Sequence, residues 1–397
     1  MRPLALTAFT ATSCLGRGAE PTLAALAAGR TGLAPCTFET VTLATCVGEV
    51  PGVDAIALPA GLEEFECRNN RLALLGLRQD GFDEAVRAAA ARLGPRRIGI
   101  WLGTSTSGIL ETELAYRARD PVSGALPAGF RYRGAHNTFS VAAFVRRALG
   151  LEGPAAVISS ACSSSAKVFA SAQRALAAGL VDAAVVGGVD SLCLTTLYGF
   201  HSLQLVAREP CRPFDAGRDG LSIGEAAAFA LLERPGGDLA TDAVLLLGTG
   251  ESSDAWHMSA PHPEGRGAAA AMRAALRAAR LSPAEVDYLN LHGTGTPSND
   301  AAEAHAVAAV LGTAVPASST KGATGHTLGA AGGLEAVICA LALSHGLMPG
   351  GVNTQRLDPA LPVSYLRESR RAPLRRLMSN SFGFGGSNCS LIFGRAG

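Results

Sequence analysis

Two rhythms of apolar and polar positions alternate along this chain. Short aliphatic and β-branched runs, "RIGIWLGTS", "AAVISSA", "DAAVVGGVD", "AFALLE", "AVLLLGTG", "VDYLNLH" and "LMSNSFGFGGSNCSLIF", read as strands buried on both faces. Alanine-rich stretches at 268–280 and 301–311 lie between them and read as helices. Such alternation predicts an α/β protein whose mixed sheet is buried between helices.

The opening fits the same pattern. "LALTAFT" predicts a first strand and "EPTLAALAAG" a helix with Pro21 near its first turn, a reading preferred over a secretory signal. No apolar run approaches the length needed to cross a bilayer, so no membrane insertion is expected.

The pattern also occurs twice. "IGIWLGTSTSG" and "DYLNLHGTGTP" each end a strand in a small-residue turn. "VISSACSSSAKVFASAQRALAAGL" and "VPASSTKGATGHTLGAAGGLEAVICALALSHGL" each read as strand, small-residue turn and long helix, and "DAAVVGGVDSL" has its counterpart in "LMSNSFGFGGSNCSLIF". Two copies of one unit are expected, residues 1–238 and 239–397, with the break inside "LERPGGDLATDA" and the matching turns converging on one cleft.

Composition narrows the function. With 48% apolar and 17% charged residues over 397 positions the chain is globular, and a net charge of +1 supplies no field for nucleic acid. The nine cysteines include no C-x-x-C pair, against both a disulfide framework and a zinc site; a reducing cytoplasm fits them best. The eight histidines show no metal-binding spacing, and no metal is expected.

Four segments carry candidate chemistry. Cys162 stands where a strand ends and a helix from about Ser163 to Leu180 begins, with Ser163 or a neighbour as cap. The positive end of that helix is expected to favour the thiolate. The other cysteines read as inert packing residues. His292 enters the turn "HGTGTP", followed by Asp300 and Glu303; His305 reads as a solvated helix residue. Lys321 and His326 flank a glycine-rich turn, but the lysine precedes the glycines, which excludes a phosphate-binding P-loop. Finally, "NSFGFGGSN" at 380–388 permits close approach of backbone to a ligand and offers Phe384 as a mobile ring.

In this order, a cysteine, "HGTGT", "K-x-x-x-GH" and "GFGG" resemble the β-ketoacyl-acyl-carrier-protein synthases (KAS I/II-type condensing enzymes), over nearly the entire chain. The resemblance implies the thiolase fold: duplicated halves in a five-layered α-β-α-β-α arrangement. It implies a decarboxylative Claisen condensation of an acyl-enzyme thioester with malonyl-acyl carrier protein. Cys162 would carry the acyl group, and the backbone N–H groups of Cys162 and Phe384 would form the oxyanion hole. His292 and His326 would stabilise the enolate, with Lys321 beneath them paired to Glu303. Thr294 and Thr296 would hold the phosphopantetheine arm, Phe384 would gate the site, and Phe200 would line the acyl pocket. No tightly bound cofactor is implied beyond phosphopantetheine delivered on acyl carrier protein. The expected assembly is a homodimer, or a heterodimer with a chain-length factor.

Ser165 stands where many relatives have glycine, Lys167 lies on the helix beneath the nucleophile, and 203–214 is short. These features resemble ketosynthases of specialised clusters, including aryl-polyene pathways. Arg68, Arg71, Arg131, Arg133 and Arg208 are either a docking surface for an acidic carrier protein or scattered solvated charges. A thiolase would place a second cysteine near the C-terminal end, where "NSFGFGGSN" stands, and a chain-length factor would lack Cys162.

Overall fold

The computed structural model describes residues 2–236 and 240–397, and the expected border between residues 238 and 239 lies outside the described residues. In the first half, β1 (Leu4–Ser13), β2 (Ile98–Gly103), β3 (Ala155–Ile158), β4 (Ala183–Asp190) and β5 (Ala226–Glu233) stand in the order β3-β2-β4-β5-β1. Strand β2 runs parallel to β3 and β4, whereas β5 is antiparallel to β4 and β1.

The second half repeats this arrangement. Strands β6 (Val244–Ser253), β7 (Tyr288–Asn290), β8 (Pro316–Ser318), the short β9 (Ser364–Tyr365), β10 (Arg376–Gly383) and β11 (Ser387–Arg395) stand in the order β9-β8-β7-β10-β11-β6. Here β7 is parallel to β8 and β10, and β11 is antiparallel to β10 and β6. With the edge strand β9 set aside, the topology is that of the first half. An antiparallel contact of Leu4 and Ala5 with Leu246 and Leu245 joins β1 to β6. "LMSNSFGFGGSNCSLIF" is thus two strands and not one, turned back on itself at Phe384–Gly386.

Helices complete the layers. The outer face of the first half is covered by α1 (Arg68–Leu77), α2 (Phe82–Leu93) and α3 (Ser140–Ala148), whose Leu72, Val86 and Phe144 share one core with Ile100, Val185 and Phe229. Helix α4 (Ser164–Ala177) lies inside, between the half-sheets. Helices α5 (Arg266–Ala279) and α6 (Pro297–Leu311) cover the outer face of the second half through Met272 and Val307. Helix α7 (Ala331–His345) lies inside beside α4: Phe169, Leu176, Cys339 and Leu343 join Val186 of one half-sheet and Leu377 and Phe393 of the other in the central core. Those are the five layers of the thiolase fold.

Helix α7 corrects one expectation. The stretch Leu328–His345 has a mean hydropathy of 1.5 over 18 residues, enough by length and composition to cross a bilayer, but 89% of it is buried inside the protein. Apart from Glu335, its buried part is apolar all round because both half-sheets pack on it. It also approaches α4 so closely that a Cβ on Gly332 would lie 2.6 Å from the Ala166 backbone nitrogen. Ser165 closes the contact by accepting a hydrogen bond from Gly333 N at 2.7 Å. Any side chain at position 332 would push apart the two helices whose N-terminal turns follow Cys162 and His326.

Candidate active site

Cys162 projects from a tight elbow between β3 and α4. Ala161 adopts a left-handed φ of 52°, uncommon for a residue with a side chain. Helix α4 begins at Ser164, and Ser163, at the cap position, makes no capping hydrogen bond to the helix. Its hydroxyl donates to Ser160 O at 3.0 Å, while Ser164 Oγ accepts from Ser160 N at 2.8 Å and donates to Ala161 O. The serines around the thiol therefore brace the elbow.

The turn that leads into α7 brings His326 to this sulfur: His326 Nε2 lies 2.9 Å from Cys162 Sγ. The His292 ring stands edge-on to the His326 ring, with centroids 5.3 Å apart and an interplanar angle of 85°. Ligand-type atoms of all three residues lie within 4.8 Å of one another, and all three side chains are buried. Such a donor set also suits a divalent cation, but Lys321 Nζ sits 3.3 Å from His292 Nδ1 and opposes a second positive charge.

Burial decides the protonation states. It pushes the Cys162 thiol up to about 11, outweighing the Lys321 charge and the backbone N–H groups of Phe384 and Cys162 that favour the thiolate. The expected thiolate is thus corrected to a resting thiol: water is excluded from the sulfur, and the helix terminus does not compensate. Burial and the nearby Lys321 hold both imidazoles well below the usual histidine range, and His326 adds to the effect on His292. Both rings are neutral at physiological pH.

Lys321 is corrected as well. Its ammonium group pairs with Glu335 of α7 and donates to His292 O at 2.6 Å. Glu303 instead accepts the backbone N–H groups of His292 and Gly293 at 2.8 and 2.7 Å, together with Asn380 Nδ2 at 3.1 Å. From α6 it holds the turn that carries His292, and burial raises its carboxyl to about 7. Burial also raises the Glu335 carboxyl, against the pull of Lys321. Glu335 and Asn380 were missed in the sequence. Glu335 had a signal there: a lone carboxylate in an otherwise apolar helix seldom exists unless paired.

The remaining expected residues gather around the same space. A narrow cavity reaches Cys162, His292 and His326, with Thr294, Thr296, Phe200 and Phe384 on its walls. Thr294 and Thr296 have their hydroxyls 2.9 Å apart. The Phe200 and Phe384 rings are in contact, with centroids 5.5 Å apart. His305 faces solvent as expected. Cys14 and Cys36 are half-buried, and the other cysteines are buried. Arg68 is no docking residue: it is 2% exposed and locked between Glu225, Asp54 and Glu49. Arg71 is drawn to Glu66 and Asp54, while Arg131, Arg133 and Arg208 are exposed.

Duplicated half-sheets with a cysteine at an elbow in one half and paired histidines in the other are the arrangement of a condensing enzyme of the thiolase fold. Residues 1–235 match the family model "Beta-ketoacyl synthase, N-terminal domain" and residues 243–355 "Beta-ketoacyl synthase, C-terminal domain"; the chain belongs to the β-ketoacyl synthase family. It is 38% identical to the mitochondrial 3-oxoacyl-[acyl-carrier-protein] synthase of Arabidopsis thaliana, in an alignment covering 62% of this chain and 57% of that protein. It is 32% identical to 3-oxoacyl-[acyl-carrier-protein] synthase 2 of Coxiella burnetii over 99% of both chains. Among solved structures, the ketosynthase ApeO of Xenorhabdus doucetiae, in complex with its chain length factor ApeC, is 40% identical with a TM-score of 0.89, over 100% of this chain and 98% of the solved one. The ishigamide ketosynthase/chain length factor structure is 29% identical with a TM-score of 0.90, over 100% of both chains.

Proposed function

We propose that this protein lengthens an acyl chain by decarboxylative Claisen condensation with malonyl-acyl carrier protein, releasing 3-oxoacyl-acyl carrier protein. The observation that carries this reading is the contact of Cys162 Sγ with His326 Nε2, at 2.9 Å, beside a second neutral imidazole.

In acylation, His326 Nε2 takes the thiol proton as Cys162 Sγ attacks the thioester carbonyl of the incoming chain. Backbone N–H groups of Cys162 and Phe384 hold the oxyanion, and the phosphopantetheine thiol leaves with the proton. Malonyl carrier protein follows, its arm lying along Thr294 and Thr296. Because Lys321 donates to His292 Nδ1, the His292 proton sits on Nε2 and is free to donate. His292 Nε2–H then hydrogen-bonds the malonyl thioester oxygen, joined by His326 once its single proton has moved from Nδ1 to Nε2, a shift open to it because acylation has removed the thiol proton that Nε2 had to accept. The C–CO₂ bond breaks, carbon dioxide departs, and its electron pair forms the enolate. The enolate carbon attacks the acyl carbonyl, the C–S bond to Cys162 breaks, and the released thiolate takes up one proton from solvent, the proton that the overall reaction consumes. Phe384, in contact with Phe200, stands where the acyl chain must pass.

A chain-length factor is the partner we favour over a second copy, because the ketosynthase 40% identical over the whole chain was solved with one. The nine free thiols fit a cytoplasmic setting. Intact-protein mass spectrometry with a panel of acyl carrier proteins tests the reaction. The expected result is one acyl group on Cys162, with the preferred chain visible in the mass gain. An unmodified wild-type protein, or equal loading of Cys162→Ala, overturns it.

A further inference from the structure

Asp190, at the end of β4, takes no part in the steps above, yet its carboxylate is fully buried within hydrogen-bond range of two turns. It accepts from Thr104 Oγ1 at 2.7 Å, from Ser105 N and Oγ at 2.8 and 2.7 Å, and from Thr106 N and Oγ1 at 2.9 and 2.7 Å. From the other half of the molecule it accepts Gly329 N at 2.5 Å. Gly329 lies three residues after His326, at the entry to α7.

The chain between those two residues is held at both ends. His326 N donates to Ser222 O at 2.7 Å, and its carbonyl accepts Gly224 N at 3.0 Å. Leu328 then adopts a left-handed φ of 52°, a conformation that persists only where the surroundings impose it. Space is fixed too: a Cβ on Gly329 would lie 2.8 Å from Asp190 Oδ2 and 2.9 Å from Ser105 N. The bond from Gly329 N to Asp190 closes this segment against the first half, which carries Cys162.

We propose that Asp190 is a positioning residue: its carboxylate latches the His326 turn of the second half to the first and thereby sets His326 Nε2 against Cys162 Sγ. Backbone N–H and hydroxyl groups direct hydrogen bonds at both carboxylate oxygens, which fixes the side chain in one orientation. The inference rests on the proposed reaction only in that acylation of Cys162 reports the geometry.

The test compares Asp190→Asn, Gly329→Ala, the double variant and a remote core variant, Phe82→Leu, matched in thermal midpoint. Acylation by a small N-acetylcysteamine thioester is followed by mass, and local amide hydrogen exchange is followed in peptides. An amide in place of the carboxylate presents a donor to donors, and a methyl on Gly329 displaces the carboxylate. Each single variant is expected to lower the maximal acylation rate at least tenfold with KM within twofold, since ångström-scale misplacement costs about that much or more. The double variant should be no slower than the worse single, and exchange should rise at 104–108 and 324–332 while the rest of α7 stays protected. Wild-type rates in Asp190→Asn, an equal loss in Phe82→Leu, or losses that multiply in the double variant overturn the latch. If the wild-type protein itself is not acylated, the proposed reaction falls, and the exchange pattern still decides the latch.

Discussion

Lys321 Nζ and Glu335 form an ion pair sealed from solvent, with side chains 1% and 3% exposed, directly beneath His292. The pair lets a full positive charge stand beside two imidazoles without being expelled to water. Removing one partner strands the other, a change that costs about 3–5 kcal/mol. Glu335→Gln is therefore expected to lower stability by roughly that amount, and Lys321→Ala similarly. Replacing both by apolar residues of similar size should cost less than the sum of the singles. Chemical denaturation midpoints check this; strict additivity would mean that the two groups do not share their charge.

Paired imidazoles make the decarboxylation step testable apart from condensation. Cys162→Ala removes the proposed acyl acceptor but leaves both histidines, so acylation is expected to vanish while malonyl carrier protein still releases carbon dioxide. On that background, His292→Ala and His326→Ala should each slow carbon dioxide release about 10²–10³-fold, the usual cost of one lost oxyanion donor. Undiminished release in both variants would remove the histidines from the enolate step.

Much of this was legible in the chain. The strand runs, the duplicated turns and the convergence of Cys162, His292, Lys321 and His326 follow from apolar periodicity and small-residue turns, which are local signals. What escaped was mostly non-local. Lys321 pairs with Glu335 and not with Glu303 because α7 passes beneath the lysine between the half-sheets, an arrangement that spacing alone does not encode. Arg68 looked like surface charge because its burial depends on Glu225, which lies 157 residues away. The Cys162 thiol was misjudged because a helix start is visible in a sequence and the exclusion of water is not.

That exclusion gives Cys162 a distinctive pH response. A thiol raised to about 11 is almost entirely protonated at neutral pH. Its alkylation by iodoacetamide, followed at the Cys162 peptide, should rise about tenfold per pH unit between pH 7 and 9.5, in step with the thiolate fraction. No plateau should appear in that range. A plateau below pH 8 would place the thiolate within reach at rest and restore the helix terminus as its main stabiliser.

Glu303 links stability to pH in a direction opposite to most carboxylates. Its folded value of about 7 lies above the ordinary 4.5, so the native state retains this proton where the unfolded chain has lost it. The stabilisation is complete below the unfolded value and is lost as pH rises through about 7, on the order of 3 kcal/mol for such a shift. The amide of a Glu303→Gln variant has no carboxyl proton to lose. The free energy of unfolding, compared at pH 5 and pH 8, should therefore fall further in the wild type than in that variant. At pH 8 the carboxylate still receives the N–H groups of His292 and Gly293, which keeps the turn in place after ionisation. Equal pH dependence in the two proteins would mean that Glu303 titrates as it does in the unfolded chain, and that its charge is stabilised by those donors as much as burial opposes it.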